Sequence, residues 1–440
     1  MPAAPLEAEL HPTKPETYEC DVLVIGGGPS GSSAAYWLAD AGVNVLVVEK
    51  KHFPREKTCG DGLTPRSVRQ LYDMGLRESL EGHHRFEGLR ALAFGRELSL
   101  PWPPHPDYPD HGYVITRSEL DAMVANRAEK AGAVYWEGTE AVAPLGPDAG
   151  DGGAALGAVV VDRDHHTTSE VRARVVIVAD GANSRFGRAL GATRDRTIPQ
   201  GMAIRGYFTS PRHDEPYIES HLDIRDAEGN VMPGYGWIFP LGDGRVNVGV
   251  GLLSTFDHWK SVNTTKLMEA FVAQAPASWE LSAETACSSP TGGRLPMGLS
   301  VGPRVGPDYV LVGDAGGSIN PFNGEGIAYG YETGRIAAGR VVEALAANNR
   351  RILGEYERDL QRYYGEYYGV ASAFMRLMGR PVMMRALVST GMRSKFAMNI
   401  VLRVMTNLLR ENRNRLPELA VRGGAALVHL TRRLSPSEAH

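Results

Sequence analysis

Four hundred and forty residues, 43% hydrophobic and 22% charged, are too many for one ordinary core and predict a globular protein of two or more domains. A formal net charge of −4 excludes nucleic acid as an electrostatic partner. Three scattered cysteines, Cys20, Cys59 and Cys287, fit neither a disulfide framework nor a zinc site, so a reducing cytoplasm and no metal are expected.

Residues 1–17 mix Pro, Ala and Glu without an apolar core and read as a disordered lead-in, not a signal peptide. Asp21-Val-Leu-Val-Ile25 has the pattern of a buried parallel strand; a helix over 30–41, stopped by Gly42, and a strand over 43–48 complete a βαβ unit. Its turn, Gly26-Gly-Gly-Pro-Ser-Gly31, carries G-x-G-x-x-G. Gly26 permits the tight turn, Gly28 admits a pyrophosphate against the backbone, and Gly31 lets helix and strand close up. The helix start at Pro29 and Ser30 aims free N–H groups at the phosphates. Glu49, followed by Lys50, ends the second strand 23 residues after Gly26, where a carboxylate accepts ribose hydroxyls and disfavours a 2′-phosphate.

Val68, Leu71 and Met74 predict a helix over 65–74, followed by strands over 86–100 and a proline-rich loop over 101–109. Leu120, Met123, Val124 and Ala128 mark a helix over 116–131, and a meander follows over 134–178. Short strands and turns fill 197–300. Tyr309-Val-Leu-Val312 then returns to the buried-strand pattern before a glycine loop, a helix over 326–347 and helices to the end. The expected fold is α/β (α+β overall): a Rossmann-type nucleotide domain (18–84, 112–196 and 301–350), an inserted antiparallel-sheet substrate domain (85–111 and 197–300), and a basic helical segment (351–440).

Ala179-Asp180-Gly181 and Gly313-Asp314-Ala315 each place a carboxylate at the carboxyl end of a strand, where ligands of open α/β sheets bind. Fingerprint, D-G and G-D in that order resemble the hydroxylase-like FAD-binding family over roughly residues 18–340. The resemblance implies FAD as cofactor, Asp314 on its ribityl chain and Arg117 as a further FAD contact. Asn323-Gly-Glu-Gly-Ile327 opens the long helix. With Gly324, Gly326 and Ile327 at the flavin pyrimidine edge, its N–H groups would stabilise an anionic reduced ring.

In Lys57-Thr-Cys-Gly-Asp-Gly-Leu-Thr-Pro-Arg66, Cys59 is flanked by Gly60, Asp61 and Gly62, which implies crowding against a ligand. Such a thiol either donates a proton or packs, and packing is the commoner role of a lone cysteine. Strand alternation puts Tyr235, Trp237 and Phe239 on one face, and Asn247, Gly249 and Gly251 on one face of the next strand. These runs, with Phe53-Pro-Arg55, resemble the geranylgeranyl reductase family of FAD-dependent oxidoreductases, and within it the subgroup acting on menaquinone. The resemblance implies reduction of an isoprenoid C=C bond in a lipid-tailed quinone, with Cys59 catalytic and Tyr235, Trp237 and Phe239 lining the substrate pocket. A geranylgeranyl lipid or diphosphate is an alternative substrate. Aromatic monooxygenases, the other large branch of this architecture, share the FAD residues and differ at Cys59 and the aromatic strand. No second nucleotide fingerprint indicates the electron donor.

Residues 371–440 hold 12 Lys or Arg against 3 Asp or Glu, a balance of +9 that leaves −13 on residues 1–370. Met398, Val401, Val404, Met405, Leu408 and Leu409 share one side of a predicted helix, with Lys395, Asn399, Arg403, Thr406 and Arg410 opposite. Such a helix either packs on its own core or lies on an anionic membrane. With a lipid-tailed substrate, peripheral contact with the inner face of the cell membrane is the expectation.

Overall fold

The computed structural model describes residues 13–146, 157–256, 259–410, 417–419, 421 and 423–424. Its first sheet has seven strands. Val134–Trp136, Val45–Val48, Thr17–Ile25 and Thr167–Val178 run parallel in that order, and Tyr309–Leu311 adds in parallel beside Val176–Val178. The earlier half of Thr167–Val178 pairs antiparallel with Gly157–Asp162, which pairs with Thr139–Leu145. Val22, Val24, Val45 and Val47 are buried beneath the helix Pro29–Asp40 while Leu23, Leu46, Val176 and Val178 are buried on the opposite face. That double burial explains why these strands read as continuous apolar runs.

The long helix Ile327–Ala346 packs directly on Pro29–Asp40. A Cβ at Gly334 would lie 2.4 Å from the Ser30 carbonyl oxygen, so this contact requires glycine. A second seven-stranded sheet runs Thr291–Pro296, Gln200–Thr209, Arg245–Leu253, Gly234–Pro240, Tyr217–His221, Gly88–Ala93 and Arg96–Pro101. Two strands from before residue 111 thus join strands from beyond residue 197. One face of this sheet is covered by the helix Thr264–Gln274, whose Leu267, Met268 and Phe271 pack on Ile204, Ile238 and Val248. The other face turns Arg205, Tyr207 and Asn247 toward the nucleotide-binding half, where Arg205 Nε donates to the Cys59 carbonyl at 3.2 Å, with Trp237 beside them.

Two expectations need correction. Disorder was expected to residue 17, but Lys14 pairs with Asp162 at 2.7 Å and Thr17 already opens the first strand; residues 1–12 lie outside the described residues. The helix Lys395–Met405 also differs. Met398, Leu402 and Leu408 are buried in a core with Phe86, Trp102 and Tyr207, and Val404 and Leu409 pack against the nucleotide-half core. Its apolar stripe therefore faces its own protein, except Val401, which is exposed. Among the described residues no helix is long and apolar enough to cross a membrane.

Candidate active site

The glycine turn is built by crowding on one side and open space on the other. Gly26 has φ +100°, and a Cβ there would meet the Ala179 carbonyl oxygen at 2.5 Å. A Cβ on Gly31 would sit 1.8 Å from the Gly26 oxygen, so no other residue lets the helix start so close to the strand end. Gly28, by contrast, meets only an Arg55 nitrogen, at 3.7 Å. Pro29 occupies the first helical turn, which has neither a side-chain cap nor an acidic residue. Its N–H groups and positive dipole end are therefore left for an anionic ligand. Ser30 packs beneath Gly313, whose Cβ would meet its Oγ at 2.5 Å.

Glu49 is buried and fixes the turn: its Oε2 accepts the Gly27 N–H at 2.9 Å and its Oε1 the Lys51 N–H at 3.1 Å. Lys50 is exposed, and its charge reaches Asp180. Arg55 bridges Glu49 at 3.4 Å and Asp121 at 2.9 Å. Asp121 in turn holds Arg117 in a two-pronged pair at 2.7 Å and 2.7 Å. The sequence reading missed Arg55 and Asp121 as parts of the site, although the Arg117–Asp121 spacing of four residues on a helix was a visible signal. Arg117 opens the helix Arg117–Ala131 and is buried, its field reaching both Cys59 and Asp314.

Two carboxylates at strand ends carry unused acceptors. Asp180 Oδ2 accepts the Phe186 N–H at 3.0 Å, but its buried Oδ1 has no partner among the described residues. Burial pushes the Asp314 carboxyl above its ordinary range, with Lys57 and Arg117 opposing. A Cβ at Gly326 would come within 3.5 Å of Asp314. Gly324 has φ +77°, and the helix beginning at Ile327 again lacks a side-chain cap or an early acidic residue. Uncapped helix starts, unused carboxylate oxygens and a glycine cradle match the phosphate and hydroxyl groups of a flavin dinucleotide.

The thiol turn sits directly against the aromatic strand. A Cβ on Gly60 would meet Phe239 at 3.2 Å and the Trp237 indole nitrogen at 3.4 Å, and one on Gly62 would meet Phe239 at 3.0 Å. Cross-strand pairing sets Tyr235 beside Gly251, Trp237 beside Gly249 and Phe239 beside Asn247. A Cβ on Gly249 would strike Trp237 at 2.3 Å, so the glycine makes room for the indole. The Tyr235 hydroxyl donates to the Asn323 carbonyl at 2.7 Å, which ties this wall to the loop before the long helix.

Fully buried Asn247 joins wall and thiol turn. Its Nδ2 donates to the Cys59 carbonyl at 2.8 Å and to Asp61 Oδ2 at 2.7 Å, while its Oδ1 accepts the Trp237 indole N–H at 2.9 Å. Asp61 is fully buried at φ +64°. It also accepts the Tyr207 hydroxyl at 2.6 Å, its N–H donates to Cys59 Sγ at 3.3 Å, and its Oδ1 has no partner among the described residues. Burial pushes its carboxyl up to about 6. Burial and then the Asp61 charge push the Cys59 thiol up, against Arg117. The thiol therefore stays protonated at neutral pH.

Comparison with known proteins agrees with this geometry. The FAD binding domain model matches residues 19–220. The menaquinone reductase of Mycolicibacterium smegmatis is 41% identical over 396 residues, 89% of this chain and 92% of that protein. The chain belongs to the geranylgeranyl reductase family of FAD-dependent oxidoreductases. Digeranylgeranylglycerophospholipid reductase 1 of Methanopyrus kandleri is 34% identical over 74% of this chain and 81% of that protein. A geranylgeranyl bacteriochlorophyll reductase-like protein of Thermoplasma acidophilum has the same fold, with TM-score 0.76 and 24% identity over 93% of this chain and 100% of that one.

This reductase thus binds FAD, and its fold brings three segments together: the thiol turn, the glycine loop before the long helix, and the aromatic wall. Glu325 clasps the first two. Its carboxylate accepts the hydroxyls of Thr64 and, at 3.2 Å, Ser67, and burial pushes it up to about 7. Among the described residues no group of His, Cys, Asp and Glu is placed to hold a metal ion.

Proposed function

We propose that this reductase saturates a C=C bond in the isoprenoid side chain of a menaquinone. The carrying observation is the joining of a protonated thiol turn to an aromatic wall through Asn247. The 41% identity to a menaquinone reductase supports the substrate.

Reduced FAD, when bound, supplies the hydride. The glycine turn at Gly26, Gly28 and Gly31 and the first helical turn at Pro29 and Ser30 would hold the pyrophosphate. Glu49, with Lys50 beside it, serves the ribose, and Asp180 and Asp314 accept from the remaining hydroxyls. Arg117, with its guanidinium charge, and the backbone N–H groups of Gly324, Gly326 and Ile327 would stabilise the negative charge of the reduced flavin. Tyr235, Trp237 and Phe239 orient the alkene and exclude water; the bond is unactivated, so it must be held in place and accept a proton as well as hydride. Cys59, held by Gly60, Asp61 and Gly62, delivers the proton to the alkene carbon that does not receive hydride. Arg117 beside it eases formation of the thiolate left behind.

The substrate is lipid-tailed, and we infer that the enzyme meets it at the inner membrane face. The test is anaerobic: reduce the holoenzyme chemically, add menaquinone, quench, return the ring to the quinone by oxidation so that only side-chain hydrogens are counted, and weigh the product. A gain of two hydrogens is expected. An unchanged lipid beside a reoxidised flavin, or a gain of one oxygen when the same turnover is run in air, would refute the reading.

A further inference from the structure

Residues 367–410 contain seven Lys or Arg and no Asp or Glu. Within them the helix Pro381–Gly391 has an arrangement that water does not favour. Met384 is buried, and Val388 packs toward the core that holds Leu241 and Phe239. The opposite arc is apolar too, Thr390 apart. At 100° per residue Val382, Ala386, Met383 and Leu387 fall within 140° of one another, on the side away from Met384. Val382 is 79% exposed, Met383 39% and Leu387 41%. A surface helix ordinarily fills this arc with charge; one apolar on both sides is covered by protein or by lipid. Arg380 and Arg385, both exposed, flank the arc, and the next helix opens with Phe396, 67% exposed.

We propose that the helix Pro381–Gly391 docks this reductase onto an anionic lipid bilayer. Val382, Met383 and Leu387 enter the boundary between headgroups and acyl chains, and Arg380 and Arg385 meet the lipid phosphates. Charge selects this occupant over a second copy of the chain. A two-fold contact through this face would bring the same arginines together across the interface, whereas an anionic headgroup layer neutralises them. The helix also forms a wall of an open cleft of about 820 Å³, where Pro381, Val382 and Arg385 face Phe256, Met232 and Leu267. Apolar side chains thus continue from the exposed arc into the cleft, which Asp226, Glu228 and Lys266 also line. Docking rests on the proposed lipid-tailed substrate for its purpose.

Its test reads no turnover and uses vesicles without quinone, so docking and the proposed reaction can fail separately. Full-length, FAD-loaded protein is sedimented with vesicles of phosphatidylglycerol and phosphatidylcholine, and with phosphatidylcholine alone. The wild type should bind the anionic vesicles at least tenfold more tightly, with the advantage shrinking as salt is raised. The triple substitution Val382→Ser, Met383→Ser, Leu387→Ser should lose at least tenfold in vesicle affinity while FAD content and melting temperature hold, because all three side chains are already exposed. Arg380→Glu with Arg385→Glu should abolish the preference for phosphatidylglycerol. Wild-type affinity in the triple variant would overturn the proposal, as would no vesicle binding by the wild type. A dimer that dissociates in the triple variant without any lipid binding would assign the face to a second copy and also overturn it.

Discussion

Replacing Asp61 by asparagine isolates the energetic cost of the thiol turn. The carboxyl is fully buried, uses one oxygen for Tyr207 and Asn247, and leaves the other without a partner among the described residues. Burial lifts it from an ordinary 3.8 to about 6. A raised folded value means that the native state binds this proton more tightly than the unfolded chain does. Asp61 therefore costs nothing below about pH 3.8, and the cost grows until about pH 6, where it levels off. Two units at 1.36 kcal/mol each give about 3 kcal/mol. An asparagine side chain in its place would keep an oxygen for both donors and carry no charge. It also tolerates the left-handed backbone at φ +64°. Urea unfolding of both holoproteins from pH 4 to pH 8 measures the effect. The wild type should lose about 3 kcal/mol relative to Asp61→Asn on the way from pH 4 to pH 7. A flat difference across that range, or a variant that falls behind as pH rises, would refute the assignment of a strained carboxylate behind Cys59.

Asn247→Leu orphans the Trp237 indole N–H and removes two donor contacts from the thiol turn; it should cost about 1–3 kcal/mol in urea unfolding and slow lipid reduction more than FAD reduction. Asp314→Ala removes a charged acceptor and should weaken FAD retention by about 1.5–3 kcal/mol, read from the fluorescence of released flavin; unchanged retention would take Asp314 out of the cofactor site. Cys59→Ser replaces a thiol of ordinary pKa ~8.5 with a much weaker acid. Flavin reduction by an artificial donor should stay normal while single-turnover reoxidation by menaquinone slows more than tenfold. A rate within about threefold, under about 1 kcal/mol of barrier, would assign Cys59 to packing and the proton to water.

The glycine fingerprint was legible in the sequence because most of it is local. Gly26, Gly28, Gly31 and Glu49 lie within one βαβ unit, and the crowding at Gly31 comes from the Gly26 carbonyl inside it, whereas the crowding at Gly26 comes from Ala179, which only the pairing of Thr17–Ile25 with Thr167–Val178 brings there. Strand alternation likewise put Tyr235, Trp237 and Phe239 on one face without any long-range contact. Tertiary structure decided what those faces meet. Asn247 reaches Cys59 across 188 residues of chain, and only the packing of the second sheet on the thiol turn makes its amide a bridge. Arg55 and Asp121 became members of the site in the same way, through a pair that neither local pattern states. The C-terminal helices give the clearest case. Lys395–Met405 and Pro381–Gly391 are both apolar and neighbour basic residues, so composition made either a membrane candidate. Burial of Met398, Leu402 and Leu408 against Trp102 and Tyr207 turned the first inward, and the burial of Met384 left Val382, Met383 and Leu387 outside on the second. A hydrophobic stripe states how much surface must leave water; which neighbour takes it depends on where the rest of the chain has already packed.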